Sequence, residues 1–96
     1  MKMIMIAYNE AIDMEVMEVL EQCRVKNYTK LMGVYGRGSA SGTHLGTDIW
    51  PGRNNVLYVA APEQDVAQLL TCIRKLRDRY GREGVKAFVW SLDEMT

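Results

Sequence analysis

The chain has 96 residues, 48% of them hydrophobic, so it forms one globular domain and is not a disordered segment. Its formal net charge is zero and its pI is about 6.6, which argues against a surface built wholly for nucleic acid. No run approaches the ~18 apolar residues of a membrane span, and no signal peptide is visible. We therefore expect a cytoplasmic protein without membrane insertion.

The predicted elements begin with an apolar strand from Lys2 to Tyr8. An amphipathic helix follows, with Asp13 as its expected N-cap. Its apolar residues recur at helical spacing, at Val16, Val19, Leu20 and Cys23. Residues Tyr28 to Tyr35 are predicted to form a second strand.

A glycine-rich stretch then runs from Tyr35 to Asn55, with the sequence YGRGSASGTHLGTDIWPGRNN. It has no period of 2 or 3.6 residues, so it is typical of neither a strand nor a helix. Long loops in small domains are usually functional or disordered. We predict a mobile loop at about residues 37–54.

The second half of the chain repeats the pattern of the first. Asn55 to Ala61 is predicted as a strand, followed by an amphipathic helix that ends at Gly81 and a last strand from Val85 to Leu92. The order of elements predicts an α+β, ferredoxin-like βαββαβ domain, with both helices on one face of an antiparallel sheet. The other face carries more apolar area than two helices need, so we expect an oligomer that buries it.

The two cysteines, Cys23 and Cys72, fall on the apolar sides of the predicted helices. Neither belongs to a CxxC pair, which argues against a thiol redox site and a cysteine zinc site. We expect them to be reduced thiols in the core.

Other proteins with this order of elements need features that the chain lacks. An RNA-recognition domain has basic and aromatic residues on its third strand, whereas NVLYVAA has one Tyr and no basic residue. A metallochaperone would carry a CxxC after the first strand. An acylphosphatase would carry an Arg-containing phosphate loop there, where Asn9 and Glu10 stand instead.

Five segments resemble, in order, those of the P-II signal-transduction family. They are the opening strand MKMIMIA, the helix segment VMEVLEQC, the loop entry GVYGRG, the third strand and second helix NVLYVAAPEQDVAQLLTCI, and the last strand GVKAFVW. The resemblance covers nearly the whole chain. It implies a homotrimeric, non-enzymatic regulator that senses a small effector and controls a target protein, a transporter or a metabolic enzyme, through the mobile loop.

In that family a nucleotide binds in the cleft between subunits, near the base of the loop. Carried over by resemblance, the effector-binding residues are Thr29, Gly36, Arg37, Gly38 and Lys86. Arg79 and Arg82 are two candidates to replace arginines that the family has nearer its C-terminus, and of these we predict Arg82. Glycines allow backbone N–H groups to approach an anion, and Arg and Lys supply charge-assisted hydrogen bonds. The expected effector is ATP, ADP, AMP or a smaller anion such as bicarbonate, without a covalent cofactor.

The loop departs from the family pattern, since it is shorter and lacks the tyrosine whose modification signals nitrogen status. Asn54 and Asn55 replace the lysine that begins the third strand. The residues expected to contact the target protein are His44, Asp48, Trp50 and Arg53.

Two alternatives remain open from the sequence. His44 and Asp48 are four residues apart and are potential metal ligands, so the chain could instead be a metal-responsive trimeric binding protein. The other alternative is an enzyme that turns over a nucleotide at the subunit cleft with Lys86 or Arg37. We favour a regulator because the sequence has a single His and no evident nucleophile–base pair.

Overall fold

A computed structural model of the protein describes residues 1–36, 53–81 and 84–96. The elements are β1 (Lys2–Asn9), a 3₁₀ turn (Glu10–Ile12), α1 (Asp13–Gln22), β2 (Thr29–Tyr35), β3 (Arg53–Ala61), α2 (Glu63–Tyr80) and β4 (Lys86–Ser91). The predicted order is confirmed. Because β3 begins at Arg53, the last two residues of the predicted 37–54 loop belong to a strand.

The four strands form one antiparallel sheet in the order β2-β3-β1-β4. The predicted ferredoxin-like fold is therefore confirmed, with β1 and β3 in the centre and β2 and β4 at the edges. Alternate residues of β1, namely Ile4, Ile6 and Tyr8, are fully buried beneath the helices. They form the core together with Val16, Leu20, Leu57, Val59, Leu69, Ile73, Leu76 and Val85.

The opposite face of the sheet is apolar and open. The register places Met5 between Tyr58 and Phe88, and Met3 opposite Trp90. The side chains of Phe88 and Trp90 are 51% and 42% exposed. Within the described part of the chain, both helices lie on the other side, so this open face has the excess apolar area that the sequence indicates.

Asp13 does not cap α1, contrary to the prediction. The side chain of Asn9 instead accepts a hydrogen bond from the Ala11 amide, 2.8 Å, and caps the short 3₁₀ turn. Asp13 is the first residue of α1, and Ile12 precedes it without a side-chain cap. The Asp13 carboxylate is drawn instead to donors on β1, β2 and β3.

The prediction of reduced thiols is wrong as well, because Cys23 and Cys72 are joined in a disulfide. Their Cα atoms are 6.6 Å apart, within the range that a disulfide spans. The apolar side of each helix contacts the other helix as well as the sheet. A cysteine at the end of α1 therefore meets one on the buried side of α2.

Candidate functional site

The base of the predicted loop is the end of the sheet where β2 stops and β3 begins. Tyr35 pairs with Arg53 there, and Val34 pairs with Asn54. Gly36 lies close to the Asn54 side chain, since a Cβ at Gly36 would sit 2.6 Å from Asn54 Nδ2. This close approach explains why the position suits glycine.

A bulge in β2 precedes the loop base. Leu31 pairs with Val56 and Val34 pairs with Asn54, so β2 has one more residue than β3 between these pairs. Gly33 lies in the bulge with a φ of +67°, a conformation that residues with a Cβ rarely adopt.

A polar cluster lies next to this bulge, on the face of the sheet that the helices cover. It consists of Tyr8, Asp13, Lys30 and Asn55, from four different elements. The Asp13 carboxylate accepts hydrogen bonds from the Tyr8 hydroxyl at 2.6 Å, from Lys30 Nζ at 2.8 Å and from Asn55 Nδ2 at 3.0 Å. Asn55 Oδ1 accepts a further bond from the Gly33 amide, 3.2 Å. The cluster thus connects α1 to the strand end that leads into residue 37.

The cluster shifts the pKa values of two of its members. Burial raises the pKa of the Tyr8 hydroxyl above its usual range, and the neighbouring Asp13 charge raises it further. Burial alone would raise the pKa of Asp13, but the hydrogen bonds from Lys30, Tyr8 and Asn55 and the Lys30 charge outweigh it and lower that pKa. Asp13 is therefore ionised and Tyr8 is neutral at neutral pH.

The sequence patterns did not predict that these four side chains come together. The available signal was Asn55, which occupies a core-facing position in an apolar strand and is only 1% exposed. A buried amide needs hydrogen-bond partners, so its position alone indicates a polar cluster.

The predicted effector residues are spread across the sheet. Lys86 begins β4 and pairs with Ala7, and Ala7 pairs with Val56, which pairs with Leu31. Lys86 and Gly36 therefore lie toward the same end of the sheet but on opposite edge strands, and these two strands are about 14 Å apart across three strand spacings. Thr29 starts β2 and is about 20 Å from Gly36 along the strand.

Other predicted site residues fall outside the described residues, namely Arg37, Gly38, His44, Asp48, Trp50 and Arg82. Arg53 is described, and it is an exposed residue at the start of β3. Residues 1–36, 53–81 and 84–96 contain no group of three His, Cys, Asp or Glu side chains that could hold a metal ion. Neither α1 nor α2, the helices of the described chain, has a stretch long and apolar enough to cross a bilayer.

A cavity of about 450 Å³ lies away from the loop base. It is bounded by the connection between α1 and β2, the end of β3 and the first turns of α2, and its lining includes Cys23, Arg24, Lys26, Pro62 and Asp65. Of the predicted effector residues that the structure describes, Thr29, Gly36 and Lys86, none lines this cavity.

Comparison with solved structures finds the same fold in CPII, a nitrogen regulatory PII-like protein from Thiomonas intermedia K12. Its complex with ADP, AMP and bicarbonate is 22% identical in sequence, with a TM-score of 0.69, over 95% of this chain and 88% of that one. The apo form is 19% identical, with a TM-score of 0.68, over 93% and 85%. The complex with ADP and bicarbonate is 23% identical, with a TM-score of 0.67, over 93% and 82%.

A search of curated proteins finds no match. The family described as "Nitrogen regulatory protein P-II" matches residues 1–96, the full length of the chain. The resemblance that the five sequence segments indicate is thereby confirmed. The chain belongs to the nitrogen regulatory protein P-II family.

Proposed function

We propose that the protein is a non-enzymatic regulator that forms a homotrimer and binds an adenine nucleotide or small anion between neighbouring subunits. The bound effector would then control a target protein, a transporter or a metabolic enzyme, through the segment between β2 and β3. One observation carries the proposal. Gly36 and Lys86 share one end of the sheet but lie on opposite edge strands, so two copies placed edge to edge could bring them to one ligand.

The open face of the sheet supports assembly. Its central row of Tyr58, Met5 and Phe88 is apolar and in register, and Trp90 continues it on β4. Burying such side chains in a partner subunit gains roughly 25 cal/mol for each Å² of apolar surface removed from water. A domain of this size has a small core, so burial of this face would add substantially to its stability.

The chemistry at the loop base suits an anion. The backbone at Gly36 has no Cβ to obstruct a ligand, and Lys86 is exposed with no ion-pair partner among the described residues. CPII is found with ADP, AMP and bicarbonate, and we propose the same three effectors for this protein. Further effector contacts would come from Thr29, Arg37, Gly38 and Arg82, and target contacts from His44, Asp48, Trp50 and Arg53.

The first test is a thermal-shift screen of the purified protein with ADP, AMP, bicarbonate and divalent metals. A ligand at 100 times its dissociation constant adds about 2.7 kcal/mol to the free energy of unfolding. For a domain of this size that raises the melting temperature by roughly 10–20 °C. Lys86→Ala should abolish the shift caused by ADP. The control Lys75→Ala, which removes an exposed lysine from α2, should preserve it. A shift with metals alone would refute the proposal.

A second test asks whether the site lies between chains. Lys86→Ala removes the cation, and Gly36→Asp puts a carboxylate at the loop base. Neither homo-oligomer should bind ADP. Mixed oligomers contain some clefts in which an intact Gly36 from one chain faces an intact Lys86 from the other. ADP binding should therefore return on mixing by unfolding and refolding together. If mixing restores no binding, the site lies within one chain and the proposed cleft is wrong.

A further inference from the structure

The bulge in β2 decides which way the loop base faces. Side chains of a strand alternate between its two faces, and one extra residue reverses the alternation beyond it. The extra residue lies between Leu31 and Val34, so Val34 shares the open face with Leu31. Tyr35 is turned to the helix side and the next position, Gly36, to the open face. Without the bulge these two residues would exchange faces.

The amide of the bulge is held by a side chain. A bulge leaves a residue outside the regular ladder, and here the Gly33 N–H donates to Asn55 Oδ1 at 3.2 Å. Asn55 comes from β3, the strand that pairs with β2, and is 1% exposed. The amide of Gly33 is thereby tied to the core of the domain.

Asp13 determines how Asn55 is oriented. An ionised carboxylate only accepts hydrogen bonds, so the Asn55 amide must turn its NH₂ group toward Asp13. The 3.0 Å bond from Asn55 Nδ2 to Asp13 Oδ1 has this direction. The Asn55 carbonyl oxygen then faces Gly33. Lys30, on β2, also holds the carboxylate, with its Nζ 2.6 Å from Asp13 Oδ1.

We propose that Asp13 and Asn55 are positioning residues for the effector site, acting through the Gly33 amide to fix the face on which Gly36 lies. This inference rests on the proposed function, because it assigns a role to residues that do not contact the effector. Asn55 orients the strand end, and Asp13 orients Asn55. The side chains of both lie on the helix side of the sheet, opposite to Gly36.

The test reverses the donor and acceptor of the pair. Asn55→Asp places two carboxylates in contact and removes the donor to Asp13. The double variant Asp13→Asn/Asn55→Asp restores one donor and one acceptor, with the acceptor still facing Gly33. Thr71→Ala is the control, since it removes a remote hydrogen bond, from the Thr71 hydroxyl to the Ala67 carbonyl on α2. Two properties are measured: hydrogen exchange at the Gly33 amide by NMR, and the dissociation constant for ADP by calorimetry.

We expect Asn55→Asp to speed exchange at Gly33 about tenfold or more and to weaken ADP binding about tenfold, as for the loss of one buried hydrogen bond. The double variant should restore most of the protection of the Gly33 amide and most of the ADP affinity. Thr71→Ala should change neither property. If Asn55 only stabilised the fold, Asn55→Asp would speed exchange at the Leu57 and Val59 amides as much as at Gly33, and this result would overturn the inference. If Asn55→Asp does not fold, the wild-type chain still decides, since an unprotected Gly33 amide would refute the inference.

The proposed function and the positioning role of Asp13 and Asn55 are refuted by different results. If the wild-type protein binds none of ADP, AMP and bicarbonate, the proposed function is wrong, whatever the exchange at Gly33. If it binds ADP and Asn55→Asp binds equally well, the function stands and the positioning role is refuted.

Discussion

Reduction of the Cys23–Cys72 disulfide should destabilise the protein strongly. The bridge joins residues 49 positions apart, so it closes about half of the chain into one loop in the unfolded state. The loop-entropy relation gives about 14 cal/mol/K for a loop of this length, which is about 4 kcal/mol at 25 °C. A typical domain has roughly 5–15 kcal/mol of stability in total, so the bridge supplies a large fraction.

Urea unfolding followed by circular dichroism measures this contribution, with and without a reductant. With a slope of about 2 kcal/mol/M, the loss of 4 kcal/mol lowers the midpoint by about 2 M. The slope itself should rise on reduction, because the unbridged unfolded chain is more expanded. Chain concentration must be the same in all samples, since assembly adds to apparent stability.

The double variant Cys23→Ala/Cys72→Ala is the control. It should unfold near the midpoint of the reduced protein and should not respond to reductant. Mass spectrometry after alkylation verifies the number of free thiols in each sample. If the bridge is present and its reduction changes the free energy of unfolding by less than about 1 kcal/mol, the entropic reasoning is refuted for this chain.

Three further predictions concern acid stability, assembly and the glycines. The folded-state pKa of Asp13 is lowered, so its contribution to stability is complete above about pH 5 and is lost as pH falls through the folded value. Asp13→Asn should remove this part of the acid destabilisation in urea titrations at pH 2–6, and an unchanged pH dependence would contradict the assignment. Phe88→Glu on the open face should dissociate the oligomer in analytical ultracentrifugation, whereas the control Ala67→Glu, on the exposed side of α2, should not. If the Phe88→Glu protein remains an oligomer, the open face of the sheet is not the interface. Gly33→Ala should lower the free energy of unfolding by about 1–2 kcal/mol because the φ of Gly33 is +67°. Gly81→Ala, at a φ of −57° and in open space, should raise it by about 0.4–1 kcal/mol. Thermal unfolding that changes in the same direction for both variants would refute the argument.

The candidate site was predictable only in part. The loop entry at Gly36 and the cation Lys86 stand in segments that resemble the family, so the sequence could nominate both. It could not show that they lie on opposite edges of the sheet at the same end, because that depends on strand order and register. The roles of Asn55 and Lys30 were missed for the same reason.

The elements and their order follow from the sequence alone. Apolar residues at periods of 2 and 3.6 are a local signal, and Pro62 and Gly81 mark the limits of α2. The excess of apolar residues on alternate positions of the strands is also a local signal, and it indicates an open apolar face.

The roles of the polar and sulfur groups depend on the tertiary fold. Asp13 has the sequence context of a helix cap, but its partners Lys30 and Asn55 are 17 and 42 residues away, and Cys23 meets Cys72 across 49 residues. Each of these groups had a plausible local role, and the choice depended on which donors and acceptors the fold brings within about 3 Å. Hydrogen bonds and disulfides act over such short distances that chain spacing alone does not determine them.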